Sequence, residues 1–245
     1  MKHLLIDADS IAYAGAYKED PVQIYSHIDS TIQDIWSTFS GICASAGDTP
    51  ATKMYIYVET WEQKHNFRKW LAVSQPYKAK RTKTIPLHCI KEAKKHLVGK
   101  WGAEAVKHAE SEDYCLIGAN AVGYDNAVVA AIDKDVYQAP TTYINYNTGE
   151  VVTLSHEEAE LRLWKQILTG DSTDSIPGLD GIGPKRAETA LDGVPVECYS
   201  NHVAHIYKEL GHSYGYFIEQ CRLIYLLREP AEVWLPITSE EWSEL

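Results

Sequence analysis

The 245-residue chain lacks the features of a disulfide-stapled protein and of a membrane protein. Its five cysteines are odd in number, scattered, and without the spacing of a metal site, which favours a reducing compartment. No apolar run is long enough to span a membrane, and residues 1–6 lead directly into a strand-like LLID instead of a signal peptide. There is no internal repeat and no low-complexity segment. We therefore expect a cytoplasmic globular protein with a sizeable core.

The charge balance is acidic, with a formal net charge of -11, which mildly disfavours nucleic acid as a partner. Net charge is weak evidence, because a polyanion is bound by a local positive field and because metal-bound carboxylates lower the formal total. Cations are concentrated between Lys64 and Lys107, whereas the last twenty residues are acidic. The basic helix Lys91–Lys95 fits equally a phosphate-binding face and an ordinary solvated face.

Strand patterns alternate with helix patterns over the first two thirds of the chain. Buried strands are predicted at 3–7, 53–59, 104–109 and 126–133, with a hairpin around residues 147–149; helices are predicted at 21–42, 66–73, 86–101, 112–123 and 155–170. This alternation predicts an α/β fold with a mainly parallel, twisted sheet covered by helices. The final third has an all-helical pattern. We place one domain at 1–168 and a helical part at 169–245.

Acidic side chains follow nearly every predicted strand. The set consists of Asp7, Asp9, Glu59, Glu110, Glu112, Asp113, Asp133 and Asp135, and the helical part adds Asp171 and Asp174. Because the carboxyl ends of parallel strands meet at one edge of a sheet, we expect most of these side chains to lie along one rim. Glu110 and Asp113 are three residues apart and are expected to share a helix face.

So many neighbouring carboxylates cannot all ionise without cations. Oxygen ligands suit Mg²⁺ or Mn²⁺, and two such ions about 3.5–4 Å apart can activate water and clamp a phosphodiester. No cysteine or His-x-x-His pattern competes for a transition metal. A single acid such as Asp135 or Asp174 fits a helix cap or turn equally well, but the whole set favours a metal site.

Residues 177–191 read PGLDGIGPKRAETAL, the pattern of a helix-hairpin-helix turn. Gly181 and Gly183 allow close approach of the backbone to a ligand. The N–H groups at the start of the following helix form an anion site that suits a DNA phosphate, and Lys185 and Arg186 add positive charge. The alternative is a tight turn with solvated cations, but two aspartates directly upstream favour the DNA-binding interpretation.

Residues 3–190 resemble the flap endonuclease / 5′–3′ exonuclease family, which includes bacteriophage 5′ nucleases and the 5′ nuclease domain of bacterial DNA polymerase I. The matching motifs occur in the family's order: LIDADSIAY, PYKAKR, ESED, DKD and GDSTDSIPGLDGIGPKRA. The last of these is the most specific. The resemblance implies a PIN-like fold with a helix-three-turn-helix element in the helical part.

The resemblance also implies a role for each matching residue. The implied metal ligands are Asp7, Glu110, Glu112, Asp113, Asp133, Asp135, Asp171 and Asp174, and the implied catalytic residues are Lys78, Arg81, Asp7, Asp113 and Asp133. The implied DNA contacts are Tyr13, Lys80, Lys83, Gly181, Gly183, Lys185 and Arg186, although Tyr13 also fits a core position. The implied cofactors are two Mg²⁺ or Mn²⁺ ions, with K⁺ at the glycine turn. The implied partner is DNA with 5′ ends, flaps or single-strand/double-strand junctions, bound by a monomer in the cytoplasm, the host's if the protein is phage-encoded.

The sequence departs from the family's pattern at three places. Glu59 stands where the family usually has Asp, Glu112 replaces an Asp, and about 29 residues between Arg81 and Glu110 leave only a short arch.

Three other functions fit parts of the sequence. A non-catalytic DNA-junction binder would share the fold. A haloacid-dehalogenase-like phosphatase would explain DADS and GDSTD, provided that a strand precedes the second motif. A PIN-domain ribonuclease would share the sheet and the acids but lack the glycine turn.

Overall fold

The computed structural model describes residues 1–51, 53–60, 66–80 and 85–245. Arg81 and Lys83, predicted to contact the substrate, lie outside these ranges. The chain forms two compact units: unit 1 is Met1–Asn66, Lys83–Ser155 and Leu227–Pro230, and unit 2 is Phe67–Thr82, His156–Leu226 and Ala231–Leu245. This division differs from the single boundary predicted after residue 168, because residues 156–168 and an earlier segment both pack within unit 2.

Unit 1 is built on a six-stranded sheet with the order β3-β2-β1-β4-β5-β6. The strands are β1 (His3–Asp7), β2 (Tyr55–Glu59), β3 (Glu104–Val106), β4 (Ala127–Ala130), β5 (Thr142–Asn145) and β6 (Glu150–Thr153). β1 to β5 pair in parallel, and β6 is antiparallel to β5. The mainly parallel α/β sheet predicted from the sequence is therefore confirmed, and so is the hairpin.

The helices follow the predicted pattern with some changes in length. They are α1 (Asp9–Ala16), α2 (Pro21–Ala46), α3 (Arg68–Leu71), α4 (Leu87–Trp101), α5 (Ser111–Val122), α6 (His156–Thr169), α7 (Pro184–Leu191), α8 (Tyr199–Glu209), α9 (Tyr214–Ile224) and α10 (Ser239–Glu244). Helices α3 and α6 to α10 belong to unit 2, in agreement with the helical pattern of the final third. No helix within the described ranges is long and apolar enough to cross a membrane.

Helix α2 shows how the sequence fixes the core of unit 1. Asp20 caps its start by accepting a hydrogen bond from the Gln23 N–H at 3.0 Å, and Pro21 occupies the first turn. Ile24, Ile28, Ile32, Ile35 and Phe39 are at most 1% exposed. Their spacing of three or four residues places them on one face, so burial of this stripe holds the helix on the sheet.

Two predicted strands end earlier in the structure than in the sequence pattern. β3 ends at Val106, and the left-handed backbone of His108 (φ 71°) breaks the extended conformation expected up to residue 109. β4 ends at Ala130 instead of Asp133. The Asp133 carboxylate accepts a hydrogen bond from the Asp135 N–H at 3.1 Å and opens a short 3₁₀ turn there, so local capping ends the strand early.

Helix α5 approaches the sheet closely at a glycine. A Cβ atom added to Gly118 would lie 2.3 Å from Leu5 Cδ2 and 2.9 Å from the Tyr57 hydroxyl oxygen. In the exposed part of a helix, replacing glycine by alanine normally stabilises the protein. At Gly118 the helix and the strands leave no room for the additional carbon.

We predict that Gly118→Ala destabilises the protein by about 1–3 kcal/mol, because the new methyl group overpacks the contact between α5 and the sheet. Gly99→Ala is the matched control, since a Cβ at Gly99 in α4 meets nothing within 4 Å and is expected to stabilise by up to about 1 kcal/mol. Urea unfolding of both variants measures the effect. Equal stability of the two variants would contradict the predicted close packing.

Candidate functional site

The topology brings the carboxyl ends of four adjacent parallel strands to one edge of the sheet in unit 1. Asp7 and Glu59 are the last residues of β1 and β2. Glu110 follows β3, and Asp133 follows β4. Because β1 lies between β2 and β4, Asp7 occupies the middle of this acidic rim.

The Asp7 side chain is fully buried. Its Oδ1 accepts hydrogen bonds from the Ser111 hydroxyl at 2.6 Å and from the Asp9 N–H at 3.1 Å. Its Oδ2 is buried and has no hydrogen-bond partner among the described residues. Burial, the largest effect, and the nearby charges of Asp9 and Asp133 raise the pKa of this carboxyl, whereas the hydrogen bonds from Ser111 and the Asp9 N–H lower it, and the net result is a pKa of about 7.

An unpartnered buried carboxylate oxygen is a group that a cation would satisfy, and the all-oxygen donors around it suit a hard divalent ion. Within the described ranges, however, no three His, Cys, Asp or Glu side chains converge closely enough to form a metal-holding group. The oxygen donors of the rim suit a hard divalent cation by their chemistry alone, and among the described residues Asp7 Oδ2 is the buried carboxylate oxygen without a hydrogen-bond partner.

Glu110 and Asp113 form a capping box at the start of α5 instead of standing side by side on one helix face. Asp113 Oδ2 accepts from the Glu110 N–H at 2.8 Å, and Asp113 Oδ1 accepts from the Leu227 N–H at 2.8 Å. Glu110 Oε1 accepts from the Asn66 amide at 3.2 Å. Both oxygens of the fully buried Asp113 thus hold backbone donors, which gives this predicted ligand a structural part in unit 1.

The prediction that the basic helix Lys91–Lys95 presents all its cations at the surface is wrong for Lys94. Its side chain is almost wholly buried, and its ammonium group lies 2.5 Å from Asp9 Oδ1 and 2.8 Å from the Glu59 carbonyl oxygen. Asp9 Oδ1 also accepts from the Glu59 N–H at 3.2 Å. Lys94 therefore joins the ends of β1 and β2, whereas Lys95 is exposed.

Two residues of the rim were not predicted from the sequence. Ser111 lies inside the ESED motif, and no sequence signal distinguishes its hydroxyl as the donor to Asp7. Lys94 had a detectable signal, because Ile90, Ala93 and Leu97 are buried on the same face of α4. Tyr13 is half-buried against the core, with Lys94 Nζ 5.4 Å from its ring centroid.

In unit 2, Asp171 and Asp174 lie on a closed loop, residues 170–178, which we call the aspartate loop. Asp171 Oδ1 accepts from the N–H groups of Thr173 at 2.7 Å and Asp174 at 3.1 Å. The backbones of Asp171 and Ile176 exchange two hydrogen bonds, at 2.8 and 2.7 Å. These bonds fix the direction of the Asp171 carboxylate and the shape of the loop before any ligand binds.

Two glycines form the neck of the aspartate loop. Gly170 and Gly178 both have left-handed backbones, with φ of 68° and 63°. A Cβ on Gly170 would lie 2.3 Å from the Ile176 carbonyl oxygen, and a Cβ on Gly178 would lie 2.3 Å from the Gly170 nitrogen. The loop can close because the backbones at Gly170 and Gly178 are in direct contact, in the space that side chains at these positions would fill.

The PYKAKR segment contacts this loop through its first residues. The Tyr77 hydroxyl donates to Asp174 Oδ2 at 2.8 Å, and the Lys78 N–H donates to the Asp174 carbonyl oxygen at 2.8 Å. The Lys78 ammonium group lies 3.5 Å from Asp174 Oδ2. The structure therefore brings together two residues from separate predicted motifs, Lys78 and Asp174, whereas Lys80 is exposed.

The glycine turn has the local geometry that the sequence indicates. Gly181 adopts a left-handed backbone (φ 76°), Gly183 is the N-cap of α7, and Pro184 is the first helical residue. Arg186 Nη1 donates to the Gly181 carbonyl oxygen at 2.8 Å. Gly181, Gly183 and the side chains of Lys185 and Arg186 are exposed, so the turn is accessible to an anion in the described structure.

We predict that Asp7→Asn stabilises the metal-free protein much more at pH 8 than at pH 5. Because the folded pKa of Asp7 is about 7, above its ordinary value of 3.8, the native state holds this proton more tightly than the unfolded chain. Stability is therefore lost as the pH rises from about 4 through about 7. Melting temperatures in EDTA at both pH values measure the effect.

Asp34→Asn, at an exposed position on α2, is the control for the loss of one acid. A stabilisation of Asp7→Asn that is the same at pH 5 and pH 8 would show that the buried carboxyl does not titrate as described.

Comparison with known proteins identifies the fold. No protein-family model matches the chain, and no curated protein matches it. Among solved structures, a T5 protein co-crystallised with metal ions aligns with a TM-score of 0.67 at 14% identity, over 92% of this chain and 90% of that chain. A bacteriophage T5 flap endonuclease in complex with DNA and metal ions aligns with a TM-score of 0.61 at 15% identity, over 92% of this chain and 89% of that chain.

A third structure, T5 5′-exonuclease with bound zinc, aligns with a TM-score of 0.59 at 18% identity, over 91% of this chain and 86% of that chain. These structural alignments cover nearly the whole chain, and at such low sequence identity they establish similarity of fold alone. The chain therefore has the PIN-like α/β fold of the flap endonuclease and 5′-exonuclease structures, as the resemblance in its motifs implied.

Proposed function

We propose that the protein is a divalent-metal-dependent 5′ nuclease that hydrolyses DNA phosphodiester bonds near 5′ ends, flaps or single-strand/double-strand junctions, as a 5′–3′ exonuclease or flap endonuclease. Fold alone does not determine function. The observation that carries the proposal is the buried Asp7 carboxylate in the middle of an acidic rim on this fold, with one oxygen that has no partner among the described residues. A neighbour of the same fold is a flap endonuclease bound to DNA and metal ions.

The proposed metal ligands fall into one set in each unit. In unit 1 they are Asp7, Glu110, Glu112, Asp113, Asp133 and Asp135, and in unit 2 they are Asp171 and Asp174. They are proposed to hold two Mg²⁺ or Mn²⁺ ions directly or through water, with K⁺ at the carbonyls of the glycine turn. Bound divalent ions supply a water of lowered pKa and stabilise charge on the phosphate. Ser111 orients Asp7 through Oδ1 and leaves Oδ2 free for this role.

The proposed DNA contacts use cations and the glycine turn. The Lys78 ammonium group stabilises charge that develops on the scissile phosphate, with Arg81 in the same role. The N–H groups at Gly183 and the start of α7 bind a backbone phosphate of the duplex, assisted by Lys185 and Arg186. Lys80 and Lys83 add positive charge along the single strand, and Tyr13 is the proposed stacking residue.

Specific observations disfavour the rival functions. A haloacid-dehalogenase-like phosphatase requires a strand before GDSTD, but helix α6 ends at Thr169, directly before this motif. A PIN-domain ribonuclease lacks the glycine turn that precedes α7 here. A non-catalytic DNA-junction binder needs no buried carboxylate oxygen without a hydrogen-bond partner, whereas Asp7 Oδ2 has none among the described residues.

Cleavage of a labelled 5′-flap DNA and of a matching blunt duplex, each with Mg²⁺ and with EDTA, tests the proposal. We expect cleavage with Mg²⁺ near the junction or the 5′ end and none in EDTA. Asp171→Asn should abolish cleavage, because it removes a proposed ligand charge, yet retain or strengthen DNA binding, because one negative charge near the phosphates is lost.

Each alternative outcome points to a different function. Junction binding by the wild-type protein without cleavage of either substrate would favour the non-catalytic module. Hydrolysis of a phosphomonoester by a protein that neither cuts nor binds DNA would favour the phosphatase. Cleavage by Asp171→Asn at the wild-type rate would remove Asp171 from the metal site.

We predict that Lys78→Ala slows single-turnover cleavage by about 10²–10³-fold, because a charge that stabilises the transition state is lost. DNA affinity in EDTA should change much less, since many other cations contribute to binding. Lys185→Ala is the comparison variant and should reduce affinity more than rate. An unchanged rate for Lys78→Ala would exclude this side chain from catalysis.

A further inference from the structure

One face of helix α9 carries three polar side chains, Tyr216, Glu219 and Gln220. Their spacing of three and four residues places them together on the helix. Each makes hydrogen bonds to a backbone segment of unit 2 that belongs to the candidate site: the segment that leads to Lys78, or the neck of the aspartate loop. No sequence motif singled out α9, and the proposed function has not used it.

Glu219 binds the segment that leads to Lys78. Its Oε1 accepts hydrogen bonds from the N–H groups of Val73 at 2.7 Å and Ser74 at 2.8 Å, and its Oε2 accepts from the Ser74 hydroxyl at 2.6 Å. Three charge-assisted hydrogen bonds to two consecutive residues are a strong contact. They fix the position and direction of the chain four residues before Lys78.

The same segment is held at its other end by the aspartate loop. The Gln75 amide donates to the Ser175 carbonyl oxygen at 2.8 Å. Tyr77 and the Lys78 N–H then donate to Asp174, as described above. Residues 73–78 are therefore fastened at two places, to Glu219 at the start and to the aspartate loop at the end.

This double attachment holds Lys78 in an uncommon backbone conformation. Lys78 has a left-handed backbone with φ 56°, which a residue with a side chain adopts only when its surroundings impose it. If the contact with Glu219 is lost, residues 73–74 lose three hydrogen bonds that fix the chain before Lys78. The Lys78 ammonium group, 3.5 Å from Asp174 Oδ2, is then positioned less firmly.

The neighbouring side chains of α9 hold the other partner of this pair. The fully buried Gln220 accepts from the Gly178 N–H at 3.0 Å through Oε1, and the Tyr216 hydroxyl donates to the Gly178 carbonyl oxygen at 2.8 Å. One helix face thus fixes the neck of the aspartate loop and the start of the Lys78 segment. The Lys78 segment and the aspartate loop are therefore both hydrogen-bonded to the same helix.

We infer that Glu219 is a positioning residue: by fastening residues 73–74 to α9 it holds the Lys78 ammonium group beside Asp174 in the orientation needed at the scissile phosphate. Glu219 contacts no substrate in this role and acts only through Lys78. The inference rests on the proposed nuclease function, since it assigns to Glu219 a share of the catalysis by Lys78.

The test is a double-mutant cycle on the single-turnover cleavage of 5′-flap DNA with Mg²⁺. Glu219→Ala should slow cleavage by about tenfold, because misplacing a catalytic group by about 1 Å can cost up to about 10²-fold. DNA affinity in EDTA should stay within about twofold of the wild type. In the Lys78→Ala background, Glu219→Ala should cause no further loss, since the group that it positions is already gone.

Two further variants separate positioning from charge and from general damage. Glu219→Gln keeps an Oε1 acceptor for both N–H groups and should restore most of the rate. Glu209→Ala removes an equal charge from an exposed site on α8 and should cleave like the wild type. If Glu219→Ala does not fold, Ser74→Ala removes one of the three hydrogen bonds and enters the same cycle, with an expected two- to threefold loss that also vanishes without Lys78.

The outcomes distinguish the inference from the function on which it rests. Absence of cleavage by the wild type overturns the proposed function. Cleavage by Glu219→Ala at the rate of an active wild type overturns the inference alone. Losses that multiply in the double variant also overturn it, because they would show that Glu219 acts independently of Lys78.

Discussion

The desolvation of one carboxylate, Asp7, is the physical constraint around which unit 1 is arranged. The residue ends the central strand of a parallel sheet, so its side chain is enclosed by neighbouring strands and by α5. Burial without a full set of donors is costly for a charged group. The protein supplies hydrogen bonds to one oxygen only, from Ser111 and Asp9, and leaves the other unpartnered among the described residues. A fold that needed only stability would have no use for such a group.

Around this carboxylate, polar side chains of unit 1 make hydrogen bonds to backbone groups. Asp113 closes the start of α5 and binds the Leu227 N–H, while Lys94 and Asp9 join the ends of β1 and β2. Unit 2 shows the same pattern. Asp171 accepts hydrogen bonds within its own loop, and Glu219 and Gln220, which lie on α9, accept hydrogen bonds from the N–H groups of Val73 and Gly178. These contacts pre-arrange the chain before any ligand is present, which is how a site gains binding or rate without reorganisation.

Much of the fold could be predicted from the sequence, because hydrophobic periodicity reports directly which face is buried. The isoleucine stripe of α2, the strand at 3–7, the hairpin and the helix that starts at Pro184 were all readable from spacing and caps. The ends of β3 and β4 were not, since His108 and Asp133 end these strands by local backbone conformation and capping. At the site, motifs located the acids but could not separate Asp113, whose two carboxylate oxygens accept from backbone N–H groups, from Asp7, whose Oδ2 has no partner among the described residues. The contacts of Ser111 and Glu219 depend on tertiary neighbours, to which no local pattern corresponds, and for Lys94 the pattern of α4 indicates burial but not the partner.

The neck of the aspartate loop limits how this protein can diverge. Gly170 and Gly178 each occupy the space that a side chain on the other would need. A clash between two side chains can usually be relieved by shrinking one of them, but here neither residue can become smaller. A change at either position therefore has no compensating partner within the loop, and sequence change must take place at positions other than these two glycines. The spacing between the two glycines is thus a more durable mark of descent for this chain than the identity of the residues that they enclose.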